Sequence, residues 1–446
     1  MTETITASLA QWLCSAQYEH LPAQVREITT DVIYDAVGGM VACSTLPEVK
    51  AIVELIDAHG GRQDCSIVGH RAKNSVINAA MANGGAARGG EVDAVHLTSS
   101  GGHVAPGPVS TALAVGEWLG ASGHDVVRAV VLGYEIGGRL MTIFYRERDY
   151  VSRRFYPTSV IASLSSAVTA GILLGLDARS LQVALGLAAY QAAGPDNMTK
   201  DPGHMGMTFQ CAAANRNGVT AALLAHRGCH APLDILDGAL GFFDAYLGRP
   251  DIGAELLHDM GRYYSITDVM YKRYPVGTPN QTYAQGLFHL LEQHPLAPEE
   301  IESIEIQMPQ GSLHTVPKTR HASIAINVVS AVAVVEGKLD FYRLHDPGVV
   351  NPAVAKMQEK IRFVPRADWT GTQHNRHAIV TIAMTTGTQL EEEVWFRPMT
   401  RPELEEKFDA LVMPQFGLQR TRELQALLRS VESASSVRPL MEALRG

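Results

Sequence analysis

The chain has 446 residues, of which 46% are hydrophobic and 19% are charged, and its net charge at pH 7 is -9. A chain of this length can bury a large core and has room for about three domains. The mild acidity and the absence of a block rich in lysine and arginine argue against a nucleic-acid-binding protein.

The N-terminal segment and the cysteines indicate the compartment. The first residues carry acidic Glu3 and no basic region before an apolar core, so no signal peptide is expected. No apolar run approaches the roughly 18 residues that a membrane-spanning helix needs. The five cysteines form no C-x-x-C pair, and their odd number argues against a disulfide framework. The sequence therefore predicts a cytoplasmic protein that does not bind membranes.

The first 265 residues predict one helix after another. Small and apolar residues recur there at helical spacing, and glycines and prolines separate the segments. The predicted helices cover residues 25–43, 75–87, 107–119, 125–144, 158–174, 180–192 and 212–226.

A loop between two of these helices concentrates ionisable residues. Arg88, Glu91, Asp93, His96 and His103 lie within sixteen positions. Such residues are costly to bury without a purpose, and loops that collect them usually carry binding or catalysis. We therefore predict the functional site here.

Asp93 and His103 are the first candidate pair in this loop. A general base needs a titratable group with a partner that tunes its pKa, and an aspartate beside a histidine provides this. The alternative is that Asp93 caps a helix or pairs with Arg88, while His103 serves the loop backbone. His96, His103 and Asp93 could in principle ligate a metal, but we predict no metal because no matching ligand occurs elsewhere.

Tyr145 and Arg148 form a second candidate group at the end of a predicted helix. They are three residues apart, so a continuing helix would place them on one face. The guanidinium of Arg148 or Arg146 would lower the pKa of Tyr145, and such a tyrosine can exchange a carbon-bound proton. The alternative is a tyrosine that covers the helix end with its hydroxyl in water.

The pattern changes near residue 271 to one typical of an α+β module. Residues 301–308 alternate as a strand, and residues 378–396 predict a hairpin that turns at Thr386 and Gly387. Residues 325–336 and 351–361 between them predict helices. Residues 401–412 and 421–444 predict helices that return to the first domain. The predicted fold is mainly α, with a discontinuous all-helical domain (1–266 and 399–446) and an inserted α+β domain (267–398).

Lys272 lies at the predicted domain junction, where clefts commonly occur. It could bind a carboxylate or stabilise an enolate, and the alternative is a surface lysine. Cofactor motifs are lacking, because the glycines at 133–138 lie inside a helix and no P-loop or H-E-x-x-H is present. The sequence therefore predicts acid–base chemistry without a cofactor, and the basic residues near these segments suit a small anionic substrate.

Five segments together resemble the MmgE/PrpD family. The first resembles the family run N-G-x-x-x-H-x-L-D-F-D-D, with Asn83 and Gly84 at its start and His103 after it. The others are GYEIGGRL at 133–140, Y-P-T at 156–158, ILDGALGFFDAY at 235–246 and YKRYPVGTPNQT at 271–282. The resemblance implies a large helical domain with a smaller α+β domain, and a homodimer. Members include 2-methylcitrate dehydratases, cis-aconitate decarboxylases and an iminodisuccinate epimerase.

The resemblance also suggests roles for individual residues. Asp93, His103 and Lys272 match catalytic positions, to which the helix-end argument adds Tyr145. The expected substrate-binding residues are Arg88, Arg148, Tyr156 and Gln281.

The chain departs from the family pattern at several positions. Tyr156 replaces the histidine of H-P-T, and Gln281 stands where many relatives carry histidine. In the family run M-T-K-x-x-H-x-G, we place Met207 at the lysine and Gln210 at the histidine, with Lys200 as a possible substitute. Fewer proton donors favour a reaction without a leaving group.

These departures set the expected activity. We expect an epimerase that exchanges the α-proton of a small polycarboxylate such as iminodisuccinate. The alternatives are a hydro-lyase or decarboxylase on a citrate-like or aconitate-like acid, and a degenerate member that only binds an acid or serves as a structural dimer.

Overall fold

In a computed structural model, the chain is described at residues 4–99, 101–147, 155–316, 321–369 and 376–446. The helices up to residue 250 are α1 Ile5–Ser15, α2 Ala23–Cys43, α3 Pro47–His59, α4 Val76–Arg88, α5 Pro106–Leu119, α6 Gly123–Arg146, α7 Pro157–Leu173, α8 Ala178–Ala189, α9 Met205–His226 and α10 Phe242–Leu247. The later helices are α11 Asn280–Gln293, α12 Ile326–Glu336, α13 Phe341–Leu344, α14 Pro352–Gln358, α15 Arg401–Arg429 and α16 Arg438–Ala443. The strands are β1 Cys65–Ser66, β2 Lys73–Asn74, β3 Val95–His96, β4 Val269–Met270, β5 Ile301–Pro309, β6 Ile361–Arg366, β7 His377–Met384 and β8 Gln389–Trp395.

The two helices that flank the ionisable loop have clear start signals. The side chain of Ser75 accepts a hydrogen bond from the backbone N–H of Asn78 at the start of α4. Pro106 opens α5, where a missing N–H costs nothing. Gly120 ends α5 in the left-handed conformation, with φ 71°. The ionisable loop therefore connects two helices whose first residues are set by these signals.

The helix α15 returns to the first core. Its Leu404, Phe408, Leu411 and Leu424 are buried in the same hydrophobic cluster as α1, α2 and α6. A Cβ at Gly38 of α2 would lie 2.9 Å from the Phe408 ring, so the glycine allows α2 and α15 to pack closely. The predicted break between 412 and 421 is observed as a kink within α15 at Gly417, whose φ of 71° and ψ of 168° are not helical.

The α+β region has a core of its own. Its four-stranded sheet has the order β6-β5-β7-β8, in which β5 and β6 are parallel and the other neighbours are antiparallel. A second hydrophobic cluster joins this sheet to α11 and α12. The predicted helix at 351–361 was too long, because residues from Ile361 onward form β6. A mainly α protein with an α+β region is thus the observed class, while the predicted domain boundaries at 266 and 398 stay a prediction.

Short strands interrupt the region that was predicted to be all-helical, and one pair positions the site. Val95 and His96 of β3 pair antiparallel with Met270 and Val269 of β4. The backbone N–H of Leu97 also donates to the carbonyl of Asp268 at 2.8 Å. This ladder brings the segment that carries Lys272 alongside the ionisable loop.

In the described ranges, no single helix is long and apolar enough to cross a membrane. The bent pair formed by α2 and α3 has the length and composition to do so, and only these two properties point to it.

Candidate active site

The ionisable loop folds into a buried cluster rather than an exposed one. The side chains of Arg88, Glu91, Asp93 and Lys272 are 1%, 4%, 2% and 0% exposed. His103 is 9% exposed at its side chain and lies against Asp93. The structure therefore brings together four residues that were predicted from sequence to share a site, and it adds Glu91 to them.

Asp93 and His103 form a close pair. His103 Nδ1 lies 2.7 Å from Asp93 Oδ2, which fixes the tautomer with the proton on Nδ1. Burial, together with the Arg88 and Lys272 charges, lowers the pKa of His103 to about 4 despite the Asp93 carboxylate. Burial raises the pKa of Asp93, but His103, Arg88 and Lys272 outweigh it and hold that pKa below its usual range. At neutral pH the pair is an ionised aspartate and a neutral imidazole.

Arg88, the last residue of α4, is the hub of the cluster. Its Nη2 lies 3.2 Å from Glu91 Oε1, 3.1 Å from His103 Nε2 and 3.0 Å from the Tyr156 hydroxyl. The sulfur of Met207 is 3.1 Å from the same nitrogen. Because a guanidinium only donates, His103 Nε2 faces it as an acceptor, and Tyr156 meets it through a phenol oxygen. Burial raises the pKa of Tyr156, so the phenol is neutral.

Glu91 bridges the two cations and a histidine. Lys272 Nζ donates to its Oε2 at 2.5 Å, and His204 Nε2 lies 2.8 Å from its Oε1. Burial raises the pKa of Glu91, but Lys272, Arg88 and His204 overcome this and hold it well below its usual range. Both Glu91 and His204 have left-handed backbones, with φ 58° and 57°. Such conformations are strained for residues other than glycine and cluster at functional sites.

Histidines from the α+β region continue this arrangement. The His321 ring stacks on His204 at 6.1 Å between centroids, and the His345 ring lies 4.8 Å from His321. Burial and the neighbouring His345 and His204 lower the pKa of His321 to about 3, and burial lowers the pKa of His345. Their Nδ1 atoms contact the Ser323 hydroxyl and the Phe341 carbonyl. Side chains from both the helical region and the α+β region therefore lie in or next to this cluster.

Sequence reasoning missed His204, His321 and His345. His204 carries a recoverable signal, because residues 198–206 read M-T-K-D-P-G-H-M-G and match M-T-K-x-x-H-x-G with one extra residue. The assignment of Gln210 to that histidine is therefore corrected: Gln210 donates to the Pro195 carbonyl, while His204 reaches Glu91. Lys200 is exposed and Met207 is buried beside Arg88, so Lys200 does not fill the place of the lysine.

Gln281 has a different role from the predicted one. Its Oε1 accepts from the backbone N–H groups of Arg273 and Tyr274, and its Nε2 donates to the carbonyls of Tyr274 and Val276. Both ends of the amide are used by the turn that follows Lys272. The geometry therefore assigns Gln281 to holding that turn, and it does not support direct substrate contact.

The Tyr145 group is only partly described. Tyr145 is half-buried against the first core and lies close enough to Tyr156 to raise that residue's pKa. Arg146 pairs with Glu255 at 2.7 Å and with Glu147 at 3.2 Å on the surface. Arg148 lies outside the described residues. The predicted lowering of the Tyr145 pKa by Arg148 therefore stays a prediction.

A cavity of about 980 Å³ lies elsewhere, lined by Thr98, Arg139, Arg146, Ser265 and Asp268 among others. Arg139 in its wall is already bound to Glu135 and to backbone carbonyls. None of the clustered residues around Arg88 lines this cavity. We therefore do not assign the chemistry to it, in spite of its size. Among the described residues, no group of histidine, cysteine or carboxylate side chains is arranged to hold a metal ion.

The chain is similar to known proteins over most of its length. Residues 7–255 match the MmgE/PrpD N-terminal domain, and residues 274–433 match the MmgE/PrpD C-terminal domain. The chain is 23% identical to a human cis-aconitate decarboxylase, over 100% of this chain and 95% of that protein. It is 24% identical to a cis-aconitate decarboxylase of Aspergillus terreus over 99% and 96%, and 26% identical to the mouse one over 76% and 72%.

Proposed function

The chain belongs to the MmgE/PrpD family, and from that premise we propose that it is a lyase that decarboxylates a small polycarboxylate of the aconitate type. This replaces the epimerase as the first expectation. The full-length relatives are named as cis-aconitate decarboxylases, which supports a lyase over an isomerase. The observation that carries the proposal is the buried cluster in which Arg88 and Lys272 meet the Asp93–His103 pair.

The cluster suits the charge changes of a decarboxylation. Loss of CO₂ from a carboxylate leaves an electron pair on carbon, which an adjacent double bond and carboxylate can delocalise as an enolate. Arg88 and Lys272 supply fixed positive charge where that negative charge develops, in a site from which water is largely excluded. A proton must then reach carbon to complete the product.

The His103 pair sets where that proton comes from. At neutral pH, Nε2 of His103 carries no proton, because the pKa of the ring is about 4 and Arg88 faces this nitrogen. His103 therefore begins as a base that first takes a proton from the medium or from a carboxylic acid group of the substrate and then delivers it to the carbon that loses CO₂, with Asp93 stabilising the imidazolium in between. Tyr156, a neutral phenol against the same guanidinium, helps to hold Arg88 in place beside His103.

The epimerase remains a second candidate because of two residues. Tyr156, which stands where the family pattern has histidine, and Met207 both contact Arg88 and bring no basic group to it. A neutral His103 opposite a phenol could remove and return an α-proton without a leaving group. In that case Tyr145, near Tyr156, would complete the second face.

A proton-NMR panel in D₂O tests both candidates. The acids are cis-aconitate, citrate, 2-methylcitrate and an iminodisuccinate mixture, each followed for CO₂ release and deuterium content. We expect cis-aconitate to lose CO₂ and the product to carry deuterium at the newly protonated carbon. Deuterium entering an α-carbon with no CO₂ release would favour the epimerase, and loss of water from the hydroxy acids would favour a dehydratase.

A further inference from the structure

The charges of the buried cluster are balanced before any substrate is present. Of its most deeply buried side chains, Arg88 and Lys272 are positive and Glu91 and Asp93 are negative, while His103 is neutral and the less buried His204 pairs with Glu91. A substrate with two or three carboxylates would enter a closed site that offers no net positive charge. Burying such an anion without a free cation is strongly unfavourable. One of the resident anions must therefore give way.

Asp93 is the less suitable of the two anions to move. Its carboxylate is held by His103 at 2.7 Å, and its distances to the cations are longer, at 3.4 Å to Arg88 and 3.8 Å to Lys272. The backbone just before it is also anchored, because Lys407 Nζ donates to the Val92 carbonyl at 2.8 Å and to Asp35 at 2.6 Å. Moving Asp93 would dismantle the pair that carries the chemistry.

Glu91 has the contacts of a bound ligand. Its two oxygens take Lys272 at 2.5 Å, His204 at 2.8 Å and Arg88 at 3.2 Å, which is how a site would hold a substrate carboxylate. It sits on a left-handed backbone directly after Gly89 and Gly90, and Gly90 has φ 70°. Its partner His204 is left-handed too. The contact therefore holds two residues in conformations that they would otherwise avoid.

The cations also have capacity beyond Glu91. The Nε atom of Arg88 is buried and has no hydrogen-bond partner among the described residues. Nδ1 of His321 accepts from the backbone N–H of Ser323, which places that ring's proton on Nε2 beside His204, whereas Nδ1 of His345 donates to the Phe341 carbonyl. An unsatisfied buried donor such as Arg88 Nε calls for an explanation, and a ligand supplies one.

We propose that Glu91 is a resident carboxylate that occupies the place of one substrate carboxylate, and that a polycarboxylate displaces it from Lys272 and Arg88 on binding. This rests on the proposed substrate class. Release of Glu91 gives the cluster a net positive charge and relaxes the strained pair. It also makes the site selective for acids with more than one carboxylate, because a monocarboxylate brings too few contacts to compete with an internal carboxylate.

Binding of propane-1,2,3-tricarboxylate, a saturated analogue that cannot decarboxylate by way of an enolate, tests the proposal by calorimetry. Glu91→Gln keeps the shape but removes the competing charge, and it is expected to bind the analogue at least about tenfold more tightly than the wild type. The matched control is Glu117→Gln, which neutralises a buried carboxylate bonded to Ser66 outside the cluster and is expected to leave affinity unchanged. Equal or weaker binding by folded Glu91→Gln would overturn the proposal.

A crystal structure of the wild-type complex gives a second test that does not depend on a variant. A ligand carboxylate on Lys272 and Arg88, with Glu91 withdrawn, is expected. A bound ligand with the Glu91–Lys272 contact still near 2.5 Å would contradict displacement. Neither measurement needs turnover, so tighter binding by Glu91→Gln without CO₂ release would retain displacement and reject decarboxylation. Decarboxylation by the wild type, with the analogue bound equally well by the wild type and Glu91→Gln, would retain decarboxylation and reject displacement. No binding of the analogue by either the wild type or Glu91→Gln would reject both hypotheses.

Discussion

The two sides of the buried cluster are built differently. The dyad side, Asp93 and His103, comes from one loop and is joined by one short contact of 2.7 Å. The bridge side, Glu91, His204 and Lys272, comes from three distant segments and is joined by ion pairing on strained backbone. Arg88 touches both sides. The dyad side is therefore arranged for proton transfer. The side chains of the bridge side bind one another, so in our proposal these contacts break when substrate binds.

Removing the histidine of the dyad side should have the largest effect on rate. His103→Ala deletes the imidazole that Asp93 positions, and loss of a placed acid–base group lowers kcat by roughly 10²-fold or more. The fold should survive, because His103 is not part of the apolar core. Steady-state kinetics with circular dichroism measure this. A kcat near the wild-type value in a folded variant would show that the dyad side does not carry the chemistry.

Removing the lysine of the bridge side should affect rate and stability together. Lys272→Ala leaves Glu91 buried with its closest cation gone, which costs about 3 kcal/mol of unfolding free energy, the usual cost of breaking a buried ion pair from one side. Turnover should also fall by about 10²-fold, because the enolate charge loses its partner.

A double variant separates these two effects of Lys272. Adding Glu91→Gln to Lys272→Ala removes the orphaned charge, so it should recover much of the stability but not the rate. Urea unfolding of the single and double variants measures this. Equal stability of the single variant and the wild type would mean that the Glu91–Lys272 pair contributes nothing.

Acid should weaken the fold through its buried histidines. The pKa of His103 and of His96 is about 4 and that of His321 about 3, against about 6.5 in an unfolded chain. Below pH 6.5 the unfolded state therefore binds more protons, so the unfolding free energy is full above that pH and falls as pH drops toward 4.

Urea unfolding between pH 7.5 and 4.5 measures this dependence. His321→Asn should flatten it, whereas the same change at His258, whose side chain is 81% exposed, should not. A flat profile in the wild-type protein would contradict the lowered pKa values.

The smallest effect is expected for Tyr156, because it is one of several groups that contact Arg88 Nη2. Tyr156→Phe removes one hydroxyl from Arg88 Nη2, which keeps Glu91 and His103 within reach. A single hydrogen bond to a charged group contributes about 2 kcal/mol, so kcat/KM should fall by no more than about thirtyfold. A loss as large as that of His103→Ala would make Tyr156 a proton donor in its own right.

Sequence reasoning recovered the dyad side because it is local. Asp93 and His103 are ten residues apart in one loop, and their types alone suggest an acid–base pair. Most of the helices were also recovered, since their apolar spacing is strong. The contacts of Glu91 with His204 and Lys272 could not be predicted, because they depend on how distant segments of the chain pack. The same holds for His321 and His345 beside them.

Backbone conformation explains the remaining misses. The positive φ of Glu91 and His204 turns both side chains into the cluster, and nothing in residue type indicates this. Gln281 was predicted to bind substrate because many relatives carry histidine at that position, but both ends of its amide bind the backbone of the turn after Lys272. Residues 351–361 read as one helix, yet the chain enters a parallel strand pair at Ile361.

The most direct test of the account compares CO₂ release with acid consumption for cis-aconitate at neutral pH, using the wild type and His103→Ala. The account predicts one CO₂ for each acid consumed by the wild type, and a rate of roughly 1% or less in the variant. Consumption or isomerisation of the acid without CO₂, or equal rates in the two proteins, would contradict it.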